Sequence, residues 1–193
     1  IIHWPIKSIL KSKISEIIYV STDYQDMSKI LKGINCQQIG RKQELCNDYA
    51  TSIDVAEDFS IDFNFDYDLL LFVYPTTPNL YIDGVKKAIS MLTKDVKKTA
   101  CVSISKYAHP IERSFTLKDN EIILNNTEFS STRTQDLDIS FHDAGNFYLF
   151  KPDFFKNSDK LFSYSSCYIE VPKSFCFDID NKEDWDFAEK YLK

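Results

Sequence analysis

Residues 67–74, YDLLLFVY, decide how the rest of the chain is read. Only Asp68 is charged, and the remainder is Leu, Phe, Val and Tyr, so both faces of an extended segment would be apolar. Such a segment suits a strand covered on both sides and central in its sheet. It runs into PTTP at 75–78, a stiff loop at the strand's carboxyl end. Residues 82–93 follow with Val85, Ala88, Ile89 and Leu92 at helical spacing, and 99–105 read as a second buried strand. Strand, helix and strand joined by short connections predict an α/β fold: a Rossmann-like, doubly wound, mostly parallel sheet with right-handed crossovers.

Toward the amino end, Ile2, Ile6, Ile9 and Leu10 fall on one helical side, with Pro5 tolerated in a first turn. Residues 16–21, EIIYVS, read as a buried strand. Thr22 and Asp23 are placed to cap a helix over 24–32 that Gly33 ends, and 36–39 suit a short strand. A polar loop, GRKQELCNDYATS, leads to Thr51-Ser52-x-Asp54, a capping arrangement for a helix reaching residue 64. Toward the carboxyl end, 114–117 and 121–124 flank Lys-Asp-Asn as a hairpin, making 111–126 a flap or dimerisation insertion in a single domain over 1–193. A strand at 147–150, a short helix at 153–161, a strand at 167–171 and a last helix at 182–192 complete the pattern, without repeats or linkers.

At 193 residues, 44% hydrophobic and 27% charged, the chain has the composition of one soluble globular domain with a core of its own. A formal charge of −6 argues against nucleic acid as a partner, yet leaves room for a nucleotide, which needs only local cations. Five scattered cysteines without a CxxC pair read as reduced thiols of a cytoplasmic protein. No apolar run approaches a membrane span, and IIHWPIKSIL lacks the basic leader of a signal peptide.

Residues 132–148, TRTQDLDISFHDAGNFY, hold the densest set of ligand-binding side chains. Arg133 is a permanent planar cation, Gln135 both donates and accepts, and Asp136, Asp138 and Asp143 are carboxylates. His142 titrates, Gly145 admits a close backbone, and Phe147 and Tyr148 offer flat walls. Other polar clusters fall beyond strand ends, where open α/β sheets bind ligands: Ser21-Thr22-Asp23, Tyr74-Pro75-Thr76-Thr77, and Asp178-Ile179-Asp180. Asp178 and Asp180 alternate in an extended segment, so both carboxylates can reach one hard cation. A lone DxD is a weak signal that helix capping by Asp180 also explains, and Lys182 and Glu183 exclude an EF-hand. His3 and His109 read as packing or loop residues, and no serine or cysteine sits in a nucleophile-elbow context.

TRTQDL followed closely by HDAGNFY resembles the signature of bacterial pseudaminic acid cytidylyltransferases, within the wider family that makes CMP-linked nonulosonic acids. FDIDNKEDW is similar to that family's carboxyl-terminal acidic motif, which implies that Asp178 and Asp180 hold catalytic magnesium. YPTTP resembles the proline-rich loop that shapes the sugar pocket, implying contacts from Tyr74, Pro75 and Thr76, with Tyr74 where most sialic acid members carry Gln. VSTD at 20–23 also matches, in an architectural role with Asp23 as a cap. Arg41 in GRKQEL corresponds to the nucleotide-reading Arg, although Lys42 replaces the usual Pro, and Ser52 matches a small hydroxyl residue near the nucleotide. Capping by Thr51 or Ser52 accounts for the latter equally well.

The resemblance implies CTP and a nine-carbon 2-keto sugar acid as substrates, pseudaminic acid first among them. The sugar's anomeric hydroxyl attacks the α-phosphate and pyrophosphate leaves, in a cytoplasmic homodimer supplying surface glycosylation. Arg133 adds a catalytic cation, while Gln135, Asp136, His142, Asp143 and Gly145 read the sugar. The family's basic Gly- and Ser-containing phosphate loop and first strand have no counterpart here, since IIHWPI resembles the helix after them. The chain as written is therefore expected to be less stable and poorly active. Three alternatives stay open: a CMP-sialic or CMP-legionaminic acid synthetase, a non-catalytic nucleotide- or sugar-binding relic, and a DxD glycosyltransferase. The last is disfavoured by the position of its DxD near the carboxyl end.

Overall fold

Three strands running one way and a fourth running against them form the main sheet, in the order β3-β7-β4-β8. The computed structural model describes residues 1–15, 17–176, 179 and 181–191. Along the chain lie α1 (His3–Ser12), β1 (Tyr19–Thr22), α2 (Met27–Ile30), β2 (Gln37–Gly40), α3 (Ser52–Asp62), β3 (Leu70–Phe72) and α4 (Ile82–Lys94). These are followed by β4 (Ala100–Lys106), β5 (Phe115–Lys118), β6 (Glu121–Leu124), β7 (Phe141–Phe150), α5 (Pro152–Lys156), β8 (Ser166–Glu170) and α6 (Lys182–Tyr191). β7 pairs antiparallel with both β3 and β4, whereas β4 and β8 are parallel. β1 and β2 form a separate parallel pair, and β5 and β6 a hairpin.

The alternation written into residues 69–74 is obeyed. Leu69, Leu71 and Val73 pack against one apolar cluster, built on Val85, Ala88 and Leu92 of α4 with Phe147 and Leu149 of β7. Leu70, Phe72 and Tyr74 pack against another, built on Phe150, Phe154 and Phe155 with Ala56 of α3. Period-two alternation therefore places helices on both faces of the sheet. The expectation of a central strand is corrected: only Leu70–Phe72 pair, along one edge, and among the described residues the other edge carries no partner. Two apolar faces state how a strand is covered and leave its lateral neighbours unspecified.

Local signals set several boundaries. Thr51 caps α3, with its hydroxyl accepting from Asp54 N at 3.2 Å and Asp54 Oδ2 accepting from Thr51 N at 2.7 Å. These bonds, first the backbone one and then the hydroxyl, hold the Asp54 carboxyl below its ordinary range. The helix expected over 24–32 contracts to Met27–Ile30 with no side-chain cap, and Asp23 is not its cap; Thr22 Oγ1 instead accepts from Tyr24 N at 3.1 Å. At the carboxyl end, Asn181 Oδ1 accepts from Glu183 N and Asp184 N at 2.9 and 3.0 Å, the capping duty that sequence alone offered to Asp180.

Candidate functional site

An irregularity in β7 builds the candidate site. Asp143 pairs with Ile104 and Tyr148 with Val102, so residues 144–147 on β7 oppose Ser103 alone on β4. Bulges of this kind re-aim side chains and interrupt the ladder. Gly145, with φ of +58°, takes the left-handed turn that the bulge needs, a conformation glycine adopts without steric cost. The N–H groups freed from the ladder at Asn146 and Phe147 both donate to Ser103 Oγ at 3.1 Å, deep in the core. One serine hydroxyl thus replaces two ladder bonds.

The bulge brings Asp143 and Tyr148 to one side, five residues apart. Tyr148 Oη donates to Asp143 Oδ2 at 2.6 Å, while Gly145 N donates to Asp143 Oδ1 at 2.9 Å, so both carboxylate oxygens are held. Burial, then Asp143, then Tyr74 push the Tyr148 phenol far above its ordinary range, which keeps it a proton donor. The Tyr74 ring meets the Tyr148 ring edge-on at 5.9 Å, and the Tyr74 and Ser52 hydroxyls are 2.5 Å apart. Since Thr51 does the capping, the Ser52 hydroxyl is left to face Tyr74.

Together these groups line a cavity of about 370 Å³ with Ala50, Thr51, Ile53, Phe72, Phe150 and Leu161. Its size falls within the range of small-molecule sites, roughly 300–1,000 Å³. An apolar floor beside a carboxylate and four hydroxyls can seat a ligand carrying both methyl groups and hydrogen-bonding substituents. The cavity draws on the first turn of α3, the carboxyl end of β3 and the bulged part of β7, so separate segments of the chain meet there.

Of the residues singled out in the sequence as ligand-binding, Ser52, Tyr74, Asp143 and Tyr148 meet at this cavity, with Gly145 shaping it from behind. Arg41 is held at the end of β1, donating from Nη2 to Ser21 O at 3.1 Å. Arg133 and Asp136 grip each other on an exposed turn, at 2.7 Å from Nε and 3.3 Å from Nη2, rather than facing the cavity, and Gln135 is exposed beside them. His142 turns its ring toward Tyr107, 4.9 Å between centroids, and donates from Nδ1 to Asp143 O at 2.8 Å. Pro75 and Thr76 form the turn after β3, and it is the next residue, Thr77, that reaches β7, donating to Gly145 O at 3.1 Å. Phe147 is no ligand wall, since its side chain is fully buried in the α4-side core. Asp178 and Asp180 lie outside the described residues.

Sequence reasoning passed over Ser103, Asn79 and Asn146, and it placed Thr77 in a polar cluster without its bond to the bulge. Ser103 carried no signal beyond its place in a strand. A small polar residue inside an otherwise apolar run, as in ACVSIS, is the one trace of it.

Comparison with known proteins agrees with this architecture. The chain is 28% identical over 199 residues to the pseudaminic acid cytidylyltransferase of Campylobacter jejuni subsp. jejuni serotype O:2, covering 100% of this chain and 85% of that protein. It is 26% identical over 194 residues to the N-acylneuraminate cytidylyltransferase of Oncorhynchus mykiss, covering 98% of this chain and 44% of that longer protein. Among solved structures, a CMP:2-keto-3-deoxy-manno-octonic acid synthetase complexed with CTP superposes with a TM-score of 0.68 at 11% identity, covering 99% of this chain and 86% of that one, a likeness of fold. The family profile described as Cytidylyltransferase matches residues 1–191, and the chain accordingly belongs to the cytidylyltransferase family.

Proposed function

We propose that the protein uses CTP to activate a nonulosonic acid, pseudaminic acid in the first instance, giving the CMP-sugar and pyrophosphate for glycosylation of surface structures. The observation that carries this reading is the β7 bulge. It gathers Asp143, Tyr148, Tyr74 and Ser52 around one cavity in a chain similar along its whole length to a pseudaminic acid cytidylyltransferase. In the reaction, the anomeric hydroxyl oxygen of the sugar bonds to the α-phosphorus of CTP. The bond from that phosphorus to the bridging oxygen breaks, pyrophosphate leaves with the bond's electrons, and the hydroxyl proton is lost to a base.

The residues divide the work. Asp143, its oxygens held by Tyr148 and Gly145, accepts from a sugar hydroxyl or amide N–H, and the apolar floor of Phe72, Phe150 and Leu161 takes the methyl of an acyl group. Tyr74 and Ser52 close the side toward α3. Arg41 reads the nucleotide, and Arg133, Gln135 and Asp136 from the segment leading into β7, with His142 at the start of that strand, engage the sugar acid. Asp178 and Asp180 hold magnesium, whose charge would offset the repulsion between an anionic sugar and an anionic triphosphate. The enzyme works as a cytoplasmic homodimer. The β5–β6 hairpin, exposed along its length, supplies the arm.

The purified protein should be given CTP and magnesium with pseudaminic, legionaminic or N-acetylneuraminic acid in turn, following pyrophosphate release and the mass of the CMP-sugar. The highest kcat/KM is expected for pseudaminic acid. Preference for either other sugar reassigns the substrate, and no product from any of them sinks the reading.

A further inference from the structure

Behind the cavity sits a side chain that touches none of it. Asn146, in the bulge and 1% exposed, donates from Nδ2 to Asn79 O at 3.1 Å and to Phe175 O at 2.9 Å, and accepts at Oδ1 from Tyr81 N at 2.9 Å. These partners fix the amide's orientation, because a flipped group would aim its oxygen at two carbonyls. Three backbone segments therefore converge on one side chain: the loop after β3, the turn after β8, and the bulge itself. Neighbouring straps reinforce the junction. Asn79 Nδ2 donates to Ser174 O at 2.9 Å, Thr77 Oγ1 to Gly145 O at 3.1 Å, and the Tyr81 and Phe175 rings pack 4.9 Å apart.

A buried amide with both donors and its acceptor engaged is expensive to disturb, since each partner lost leaves a polar group without water. It also has a location that a generic core amide would lack. It stands between Gly145, which binds Asp143, and the loop that begins at Tyr74, so a shift at Asn146 moves two walls of the cavity at once.

We propose that Asn146 is a positioning residue for the sugar-binding cavity, setting the distance between the Tyr74 wall and the Asp143 wall without touching the ligand. The proposal rests on the reading that this cavity takes the sugar acid. Asn146→Asp keeps the shape and the acceptor but turns both donors into an oxygen facing two carbonyls. Asn79→Ala removes only the strap to Ser174.

Steady-state kinetics with CTP and pseudaminic acid should be combined with hydrogen–deuterium exchange of peptides covering 74–82 and 172–176. The KM for the sugar acid is expected to rise about tenfold in Asn146→Asp and about threefold in Asn79→Ala, in line with the loss of two buried hydrogen bonds or one. The KM for CTP should stay within about twofold, and exchange should quicken in those two segments alone. Should Asn146→Asp fail to fold, Asn79→Ala carries the test on its own. Unchanged exchange there, equal rises in both KM values, or a fall in kcat with neither KM altered each overturn the positioning role. A wild-type protein that ignores pseudaminic acid overturns the substrate reading instead, and the sugar-specific role with it.

Discussion

Replacing Ser103 with alanine removes a single oxygen, yet the structure makes that oxygen the acceptor for two backbone N–H groups of the bulge, each at 3.1 Å. Ser103 and Phe147 are fully buried and Asn146 is 1% exposed, so no water replaces the lost acceptor. A buried donor left without a partner costs about 1–3 kcal/mol. Two donors would sum to about 2–6 kcal/mol, and because they share one acceptor the lower half of that sum, about 2–4 kcal/mol, is expected. For a domain of this size each kcal/mol shifts Tm by roughly 2–4 °C, so a fall of about 5–15 °C is expected. Calorimetry or chemical denaturation measures it, with Ser105→Ala as control: Ser105 lies buried on the same strand but takes no part in the bulge bonds. A Ser103→Ala protein whose Tm matches that of Ser105→Ala would refute the idea that this hydroxyl holds the bulge closed. The loss should also appear at Asp143, as weaker sugar binding in the protein that remains folded.

Three further outcomes follow. The Tyr148 phenol is raised in the folded state, so the stability it confers is complete below the unfolded pKa of about 10 and lost as pH climbs above it. Wild-type Tm should therefore drop more steeply between pH 9 and 11 than that of Tyr148→Phe, and parallel curves would contradict the buried donor. A Cβ at Gly84 would lie 2.3 Å from Tyr81 Cδ1, so Gly84→Ala must displace that ring from Phe175. The expected cost is about 1–3 kcal/mol less the helix preference of Ala over Gly, and a more stable variant would show the ring free to move. Leu117 and Ile122 pair across the hairpin, 73% and 66% exposed, and replacing both with lysine should convert a dimer to a monomer by light scattering. An unchanged mass would remove the hairpin from the interface.

What the sequence disclosed followed from local periodicity and side-chain chemistry. Alternation alone sorted Leu69, Leu71 and Val73 from Leu70, Phe72 and Tyr74, because a strand's period of two is a property of the backbone. Ser52, Tyr74 and Asp143 could be picked out as hydrogen-bonding groups beyond strand ends. Which strand lies beside which could not be read, and β3 moved from the centre to one end of the described sheet. Asn146 stayed hidden because its partners stand 65 and 67 residues before it and 29 after, and nothing near it marks the meeting. Thr76 and Thr77 are chemically alike, and only the turn decides which hydroxyl reaches Gly145. Arg133 reads in the sequence as an open cation, and only the turn over Thr134–Asp136 discloses that its fork is shared with Asp136 three residues on.

On the far side of the bulge, Tyr148, Leu149 and Phe150 keep step with Val102, Cys101 and Ala100 on one flank and with Phe72, Leu71 and Leu70 on the other. The slack of residues 144–147 is taken up locally, so an insertion or deletion there need not slide the strand and turn its core residues outward. The bulge works as an expansion joint. Ligand preference can drift under selection by lengthening or reshaping that stretch while the scaffold beneath it, and the price of keeping it folded, stay almost constant.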